Sequence, residues 1–151
     1  MATNSLQSLR IALASDHGGF EQKESLKSWL VGRGCSVKDL GPDNEVSVDY
    51  PDYAHIVAKL VKTGEADFGI LVCGTGLGMA IAANKVAGVR AVPVTSVEFA
   101  RLARQHNDAN VLCLSGRFVD DALNKNICEA FLSTDFEAGR HARRVAKLEQ
   151  C

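Results

Sequence analysis

The sequence predicts an α/β fold: a three-layer sandwich with a five-stranded parallel sheet and helices on both faces. Two observations carry this. Short apolar runs alternate with segments of helical periodicity five times along the chain. The third run ends in Cys73 and a glycine-dense turn, Gly74-Thr75-Gly76-Leu77-Gly78, which opens an Ala-rich segment and reads as strand, tight loop, helix. Strands joined through helices cross over right-handed and lie parallel.

The first strand is Leu9 to Ala14, ending at Ser15-Asp16-His17-Gly18-Gly19. Glu21 to Val31 carries Leu26, Trp29 and Leu30 at helical spacing, and Gly32 and Gly34 stop it. Ser36 to Leu40 is the second strand, closed by Gly41-Pro42-Asp43-Asn44. From about Asp52, Ile56, Val57, Leu60 and Val61 form a helical stripe that ends near Gly64. Gly69 to Val72 is the third strand, and its helix is expected to run to about Gly88. Val89 to Val94 is strand-like, with Pro93 placed where a donor can be spared. Ser96 caps a helix with Glu98 in its first turn, reaching about His106. Asn110 to Leu114 is the fifth strand, Asp120 to Leu132 a helix, and Gly139 to Glu149 a last helix.

A chain of 151 residues, 46% of them hydrophobic, suffices for one domain with its own core. That domain is expected over residues 9–151, with a frayed N-terminus over residues 1–8. A net charge of −1 with no basic patch argues against nucleic acid as a partner. The five cysteines are odd in number and show no C-x-x-C or metal spacing, which argues for reduced thiols in a cytoplasmic compartment. The first ten residues lack the apolar core of a signal peptide, and Gly69 to Asn84 is too short and glycine-rich for a membrane span.

In parallel sheets ligands bind at the carboxyl ends of the strands. Those ends carry Asp16 and His17, then Asp49 and Tyr50, then Cys73 with its turn, then Arg117. Each has an ordinary structural reading: an aspartate before a helix caps it, a lone histidine packs or faces solvent, and a cysteine at a strand end is a small buried apolar group. Together on one rim they read as a site. A thiol beside a helix start is a usable base or nucleophile, and glycine N–H groups there suit an anion. A nucleotide is a poor fit, because the spacing is G-x-G-x-G and Val94 and Thr95 stand where a ribose-binding acid belongs. His106-Asn107 closes the fourth helix, where a histidine also answers the helix dipole. Arg140 and Arg144, four apart in the first turns of the last helix, read either as a solvated basic face or as two forks for a phosphate.

Four stretches are in register with one family. S-D-H-x-G-F at Ser15 to Phe20, C-G-T-G-x-G-x-x-I-A-A-N-K at Cys73 to Lys85, R-Q-H-N-D-x-N-V-L at Arg104 to Leu112 and G-R-H-x-x-R-V at Gly139 to Val145 resemble the type B ribose 5-phosphate isomerases, whose family also includes galactose 6-phosphate isomerase subunits. The resemblance spans nearly the whole chain. It implies a Rossmann-like sandwich whose C-terminal helix takes part in dimer contacts. It also implies a homodimer or tetramer with shared active sites, and metal- and cofactor-free aldose–ketose isomerisation of a sugar phosphate through a cis-enediolate.

By position, the resemblance makes Cys73 the base. Gly74, Gly76, Leu77 and Gly78 with Thr75 would hold the anionic oxygen, and His106 would open the furanose with Asp16 and Tyr50. His17, Arg117, Arg140 and Arg144 would bind phosphate, and Asn107 the sugar hydroxyls. A second branch of the family uses a glutamate where Met79 stands, which leaves Cys73 as the base of this loop. The Leu114-Ser115-Gly116-Arg117 stretch departs from the usual glycine placement, which bears on Arg117. Six-carbon sugar phosphates, non-catalytic sensing of a sugar phosphate and a redox thiol stand as alternatives.

Overall fold

The computed structural model describes residues 6–151. Five parallel strands, β1 (Arg10–Ser15), β2 (Ser36–Asp39), β3 (Phe68–Cys73), β4 (Ala91–Pro93) and β5 (Val111–Ser115), form one sheet in the order β2-β1-β3-β5-β4. The helices are α1 (Phe20–Gly32), α2 (Tyr50–Lys62), α3 (Leu77–Ala83), α4 (Val97–Asn107), α5 (Asp121–Leu132) and α6 (Arg140–Leu148).

The three central strands are apolar over their middle residues because both sheet faces are covered. On one face Ile11, Leu13, Ile70, Leu112 and Leu114 pack with Leu26 and Leu30 of α1, Ala100 of α4 and Ile127 and Phe131 of α5. On the other, Ala12, Ala14, Leu71 and Val111 meet Ala54, Val57 and Ala58 of α2 and Met79 and Ala83 of α3. The first core is built from large side chains, the second mostly from alanine and valine, so α2 and α3 lie close to the sheet. Gly69 serves that approach, since a Cβ there would sit 2.7 Å from Val57.

The predicted elements form, with three differences. The helix after the glycine turn ends at Ala83 rather than near Gly88: Asn84 turns its amide to Ala91, accepting from its N–H at 2.7 Å and donating to its carbonyl at 2.9 Å. That amide takes the place of a neighbouring strand at the sheet edge, and β4 is three residues long, ending at Pro93. A 3₁₀ turn, His17–Gly19, precedes α1, with the Asp16 carboxylate accepting from Gly19 N–H at 3.1 Å. Of residues 1–8, which are expected to fray, 1–5 lie outside the described residues. Leu6 is buried in the first core, its carbonyl accepts from the Cys35 thiol, and Ser8 N–H donates to Gly34 O at 2.9 Å.

Candidate active site

Strand order reverses around β1 and β3, because β2 lies to one side of β1 while β3, β5 and β4 lie to the other. The carboxyl ends of β1, β3 and β5 therefore open a crevice, which three loops fill.

The loop after β3 is the centre. Cys73 is buried, and its Sγ accepts a hydrogen bond from Gly76 N–H at 3.1 Å. That contact requires Gly76 in the left-handed region (φ 82°), where a side chain would also press on the Leu114 backbone. The turn folds back on its own thiol, and a backbone N–H aimed at sulfur solvates negative charge there. Thr75 Oγ1 accepts from Leu77 N–H at 3.2 Å, and the Tyr50 ring, at the start of α2, lies over Gly78.

The loop after β5 is tied to it. Gly116 N–H donates to Cys73 O at 2.8 Å, Arg117 N–H to Gly74 O at 3.2 Å and Ser115 Oγ to Gly74 O at 2.7 Å. These bonds lay the Arg117 side chain across Gly74 and Gly18: a Cβ on Gly74 would be 3.3 Å from Arg117 Cδ, and one on Gly18 would be 3.3 Å from Arg117 Nη2. The departure from the usual glycine placement thus leaves Arg117 on the rim.

The loop after β1 completes the cluster. Asp16 is buried, and its N–H donates to Val72 O at 3.1 Å. Gly19 lies so close to β3 that a Cβ would come within 2.5 Å of Val72 O. His17 Nδ1 accepts from Val48 N–H at 3.3 Å, which leaves Nε2 as the ring's donor. Asp16, His17, Tyr50, Cys73, Thr75 and Arg117 therefore share one rim, as their strand-end positions predict.

His106, Asn107, Arg140 and Arg144 do not join them within one chain. α4 runs antiparallel to the strands and delivers His106 and Asn107 to the amino end of β5, on the order of 15–20 Å from Cys73 by helix and strand rise. There the His106 ring stacks on His141 of α6, with centroids 4.3 Å apart and planes 13° apart. A pocket of about 290 Å³ is lined by His106, Asn107, His141, Arg144, Val145 and Leu148. Burial, then the neighbouring His106 and Arg140, hold the His141 imidazole below the usual histidine range, against the pull of Glu137.

Glu137, His106 and His141 bring three potential metal ligands within 4.8 Å of one another. Near-parallel rings, however, run their in-plane lone pairs side by side rather than toward one point, and Arg140 and Arg144 stand close enough to act on His141. The donor set suits an anion better than a dication. His141, Glu137 and Ser115 were not singled out from the sequence; the spacing of Gly139 to Val145 places His141 beside the arginines but does not reveal the ring it stacks on. Of the other thiols, Cys113 and Cys128 are wholly buried, and burial pushes both well up, in Cys113 with a smaller push from Cys73. They are packing groups.

A family model described as Ribose/Galactose Isomerase matches residues 11–148. The chain is 50% identical over 143 residues to a probable ribose-5-phosphate isomerase B of Mycoplasma genitalium, covering 93% of this chain and 94% of the relative. It is 48% identical over 139 residues to ribose-5-phosphate isomerase B of Escherichia coli, covering 92% and 93%. A crystal structure of a ribose 5-phosphate isomerase from Thermotoga maritima superposes with a TM-score of 0.93 at 52% identity, covering 95% of this chain and 99% of that one. The M. genitalium enzyme with bound ribulose-5-phosphate superposes with a TM-score of 0.91 at 49% identity, covering 95% and 96%. With the sheet, the thiol loop and the α6 arginines all in this register, the chain belongs to the ribose/galactose isomerase family.

Proposed function

We propose that this protein interconverts ribose 5-phosphate and ribulose 5-phosphate, with Cys73 as the base. The observation that carries the reading is the Cys73 thiol folded into its own glycine loop, with Arg117 across the mouth, in a chain about half identical to enzymes named for that reaction.

His106, helped by Asp16 and Tyr50, moves the proton that opens the furanose to the aldehyde. The Cys73 thiolate then takes the C2 proton and becomes a thiol, while the electron pair of that bond moves into a C1–C2 enediolate and onto O1. N–H groups of Gly74 and Gly78 with the Thr75 hydroxyl hold that oxygen, while those of Gly76 and Leu77 hold the Cys73 sulfur and the Thr75 Oγ1. The thiol returns the proton to C1, the O2 hydroxyl proton passes to O1, and the carbonyl re-forms at C2. His17, Arg117, Arg140 and Arg144 bind the phosphate and Asn107 the sugar hydroxyls.

The two groups of residues lie at opposite ends of the sheet in one chain, and a single pocket holding both needs a second copy. The assembly read here is a homodimer, or a tetramer of two such pairs, in which each site takes Cys73 from one subunit and His106 with the α6 arginines from its partner. No helix among the described residues is long and apolar enough to cross a membrane.

The test is proton NMR of ribose 5-phosphate with the protein in D₂O containing EDTA. Ribulose 5-phosphate should appear, carrying deuterium at C1. Turnover of galactose or allose 6-phosphate but not of ribose 5-phosphate would move the reading to six-carbon substrates, and binding without any turnover would make the protein a sensor.

A further inference from the structure

Asp108 ends α4 one residue after Asn107, with φ 46°, a left-handed conformation that a residue with a side chain adopts at a cost. Its two carboxylate oxygens are held by two different arginines. Arg104, one turn back on α4, donates from Nη1 to Asp108 Oδ1 at 2.8 Å and to Ala109 O at 2.6 Å, and from Nε to Thr134 O at 3.2 Å. Its guanidinium lies buried between the Phe68 and Phe131 rings, 4.9 and 5.8 Å from their centroids. Arg90, at the entry to β4, donates from Nη2 to Asp108 O at 2.9 Å and faces Oδ2 at 3.4 Å; its Nε reaches Asn107 O and Asp108 O, both at 3.1 Å. Arg90 Nη1 also pairs with Glu149 at 2.6 Å, just past the end of α6.

The carbonyls at and just beyond the end of α4, Asn107 O, Asp108 O and Ala109 O, are thus taken by guanidinium groups, one anchored in the core and the other tied to the end of the helix that carries Arg140 and Arg144. Side chains two residues from a helix stop point where the stop directs them. We infer that Asp108, clamped between Arg90 and Arg104, is a positioning residue that aims His106 and Asn107 at the sugar ring, and that it acts on ring opening rather than on proton transfer at C1 and C2. This rests on the isomerase reading above.

The chemistry separates the two steps. Ribose 5-phosphate is a closed furanose that must be opened. Ribulose 5-phosphate has its C5 oxygen esterified and cannot close a five-membered ring onto C2, so Cys73 can exchange its C1 proton with no ring to open. Asp108→Asn keeps a residue that tolerates the left-handed turn but puts an amide N–H₂ against one of the two guanidinium groups. It should lower kcat for ribose 5-phosphate by about 10- to 100-fold, the scale on which a misplaced catalytic group costs rate. C1 deuterium exchange from saturating ribulose 5-phosphate in D₂O should stay within about threefold of wild type, because Cys73 and its loop, which make that transfer, are untouched.

His106→Asn is the reference and should show the same split. Arg90→Lys, a change at the outer side of the clamp, should show it in milder form and serves if the Asp108 variant does not fold. Equal loss in both assays, or no loss in either, for the Asp108 and Arg90 variants overturns the inference. If His106→Asn also shows no split, the ring-opening role of His106 falls with it. A wild-type protein that turns over neither substrate overturns the isomerase reading and this inference together.

Discussion

Replacing Cys73 by alanine should lower kcat for ribose 5-phosphate by about 10³-fold or more while KM stays within about threefold, since loss of a proton-transferring group costs catalysis rather than binding. Three features make the effect large. Sγ accepts the Gly76 N–H and stands at the focus of a loop braced by Arg117, Ser115 and Gly116. The residue on α3 that a carboxylate base would occupy is Met79, which is wholly buried and has no proton to give or take. The neighbouring Cys113 is held as a thiol by burial, so it offers no substitute. Cys73→Ser, which keeps the size but supplies a far weaker base at neutral pH, should be nearly as slow. Stopped C1 exchange from ribulose 5-phosphate in D₂O checks the same residue from the other direction, and exchange at the wild-type rate in Cys73→Ala would overturn the assignment.

The second large effect is on stability. Lys23 of α1 is wholly buried and its ammonium is paired with Asp39 at the end of β2 at 2.9 Å and with Glu24 at 2.6 Å. Asp39 also accepts from Lys27 at 3.0 Å and from Gly41 N–H at 2.9 Å. Burial pushes the Asp39 carboxyl up, but the hydrogen bonds from Lys23, Gly41 and Lys27 outweigh it and hold the group below the usual aspartate range. Asp39→Asn leaves a buried cation with one partly exposed partner and should destabilise the fold by about 2–4 kcal/mol, or roughly 5–12 °C in Tm for a chain of this size. Lys23→Met removes the buried charge itself and should cost less. The pH dependence has a definite sign. A carboxylate whose folded-state pKa is depressed contributes stability that is complete above its unfolded value, about 4, and is lost as pH falls through the folded value. The gap between wild type and Asp39→Asn should therefore be full at pH 7 and close in acid. Thermal unfolding across pH 3 to 7 reads both points, and a gap that is constant with pH would show that charge is not its source.

Four of the strands were legible as short apolar runs closed by a turn, and β2, Ser-Val-Lys-Asp, from its place between a helix stop and the Gly41-Pro42 turn; all five fall within about two residues of their expected ends. What the chain does not reveal locally is where a side chain at one point replaces backbone at another. Asn84 ends α3 by bonding Ala91, seven positions on, and Leu6 belongs to the core through Cys35, 29 positions away; neither pairing follows from the periodicity of the residues around it. The same division runs through the site. Asp16, His17, Tyr50, Cys73 and Arg117 were readable from strand-end position alone, because the sheet brings those ends together. His106, Asn107, Arg140 and Arg144 were readable only from motif register, since each also has an ordinary role at a helix end. In the clamp on Asp108, Arg104 lies one turn back on the helix that Asp108 ends, while Arg90 joins it from the entry to β4, 18 positions away, a pairing that no local pattern shows.

The separation of Cys73 from His106 within one chain has a genetic consequence. In the dimer proposed above, a subunit lacking the thiol and a subunit lacking His106 would together rebuild one intact pocket, with both lesions gathered in the other. Two inactive alleles would then complement when their defects lie at opposite ends of the sheet, and fail to complement when both lie at the same end.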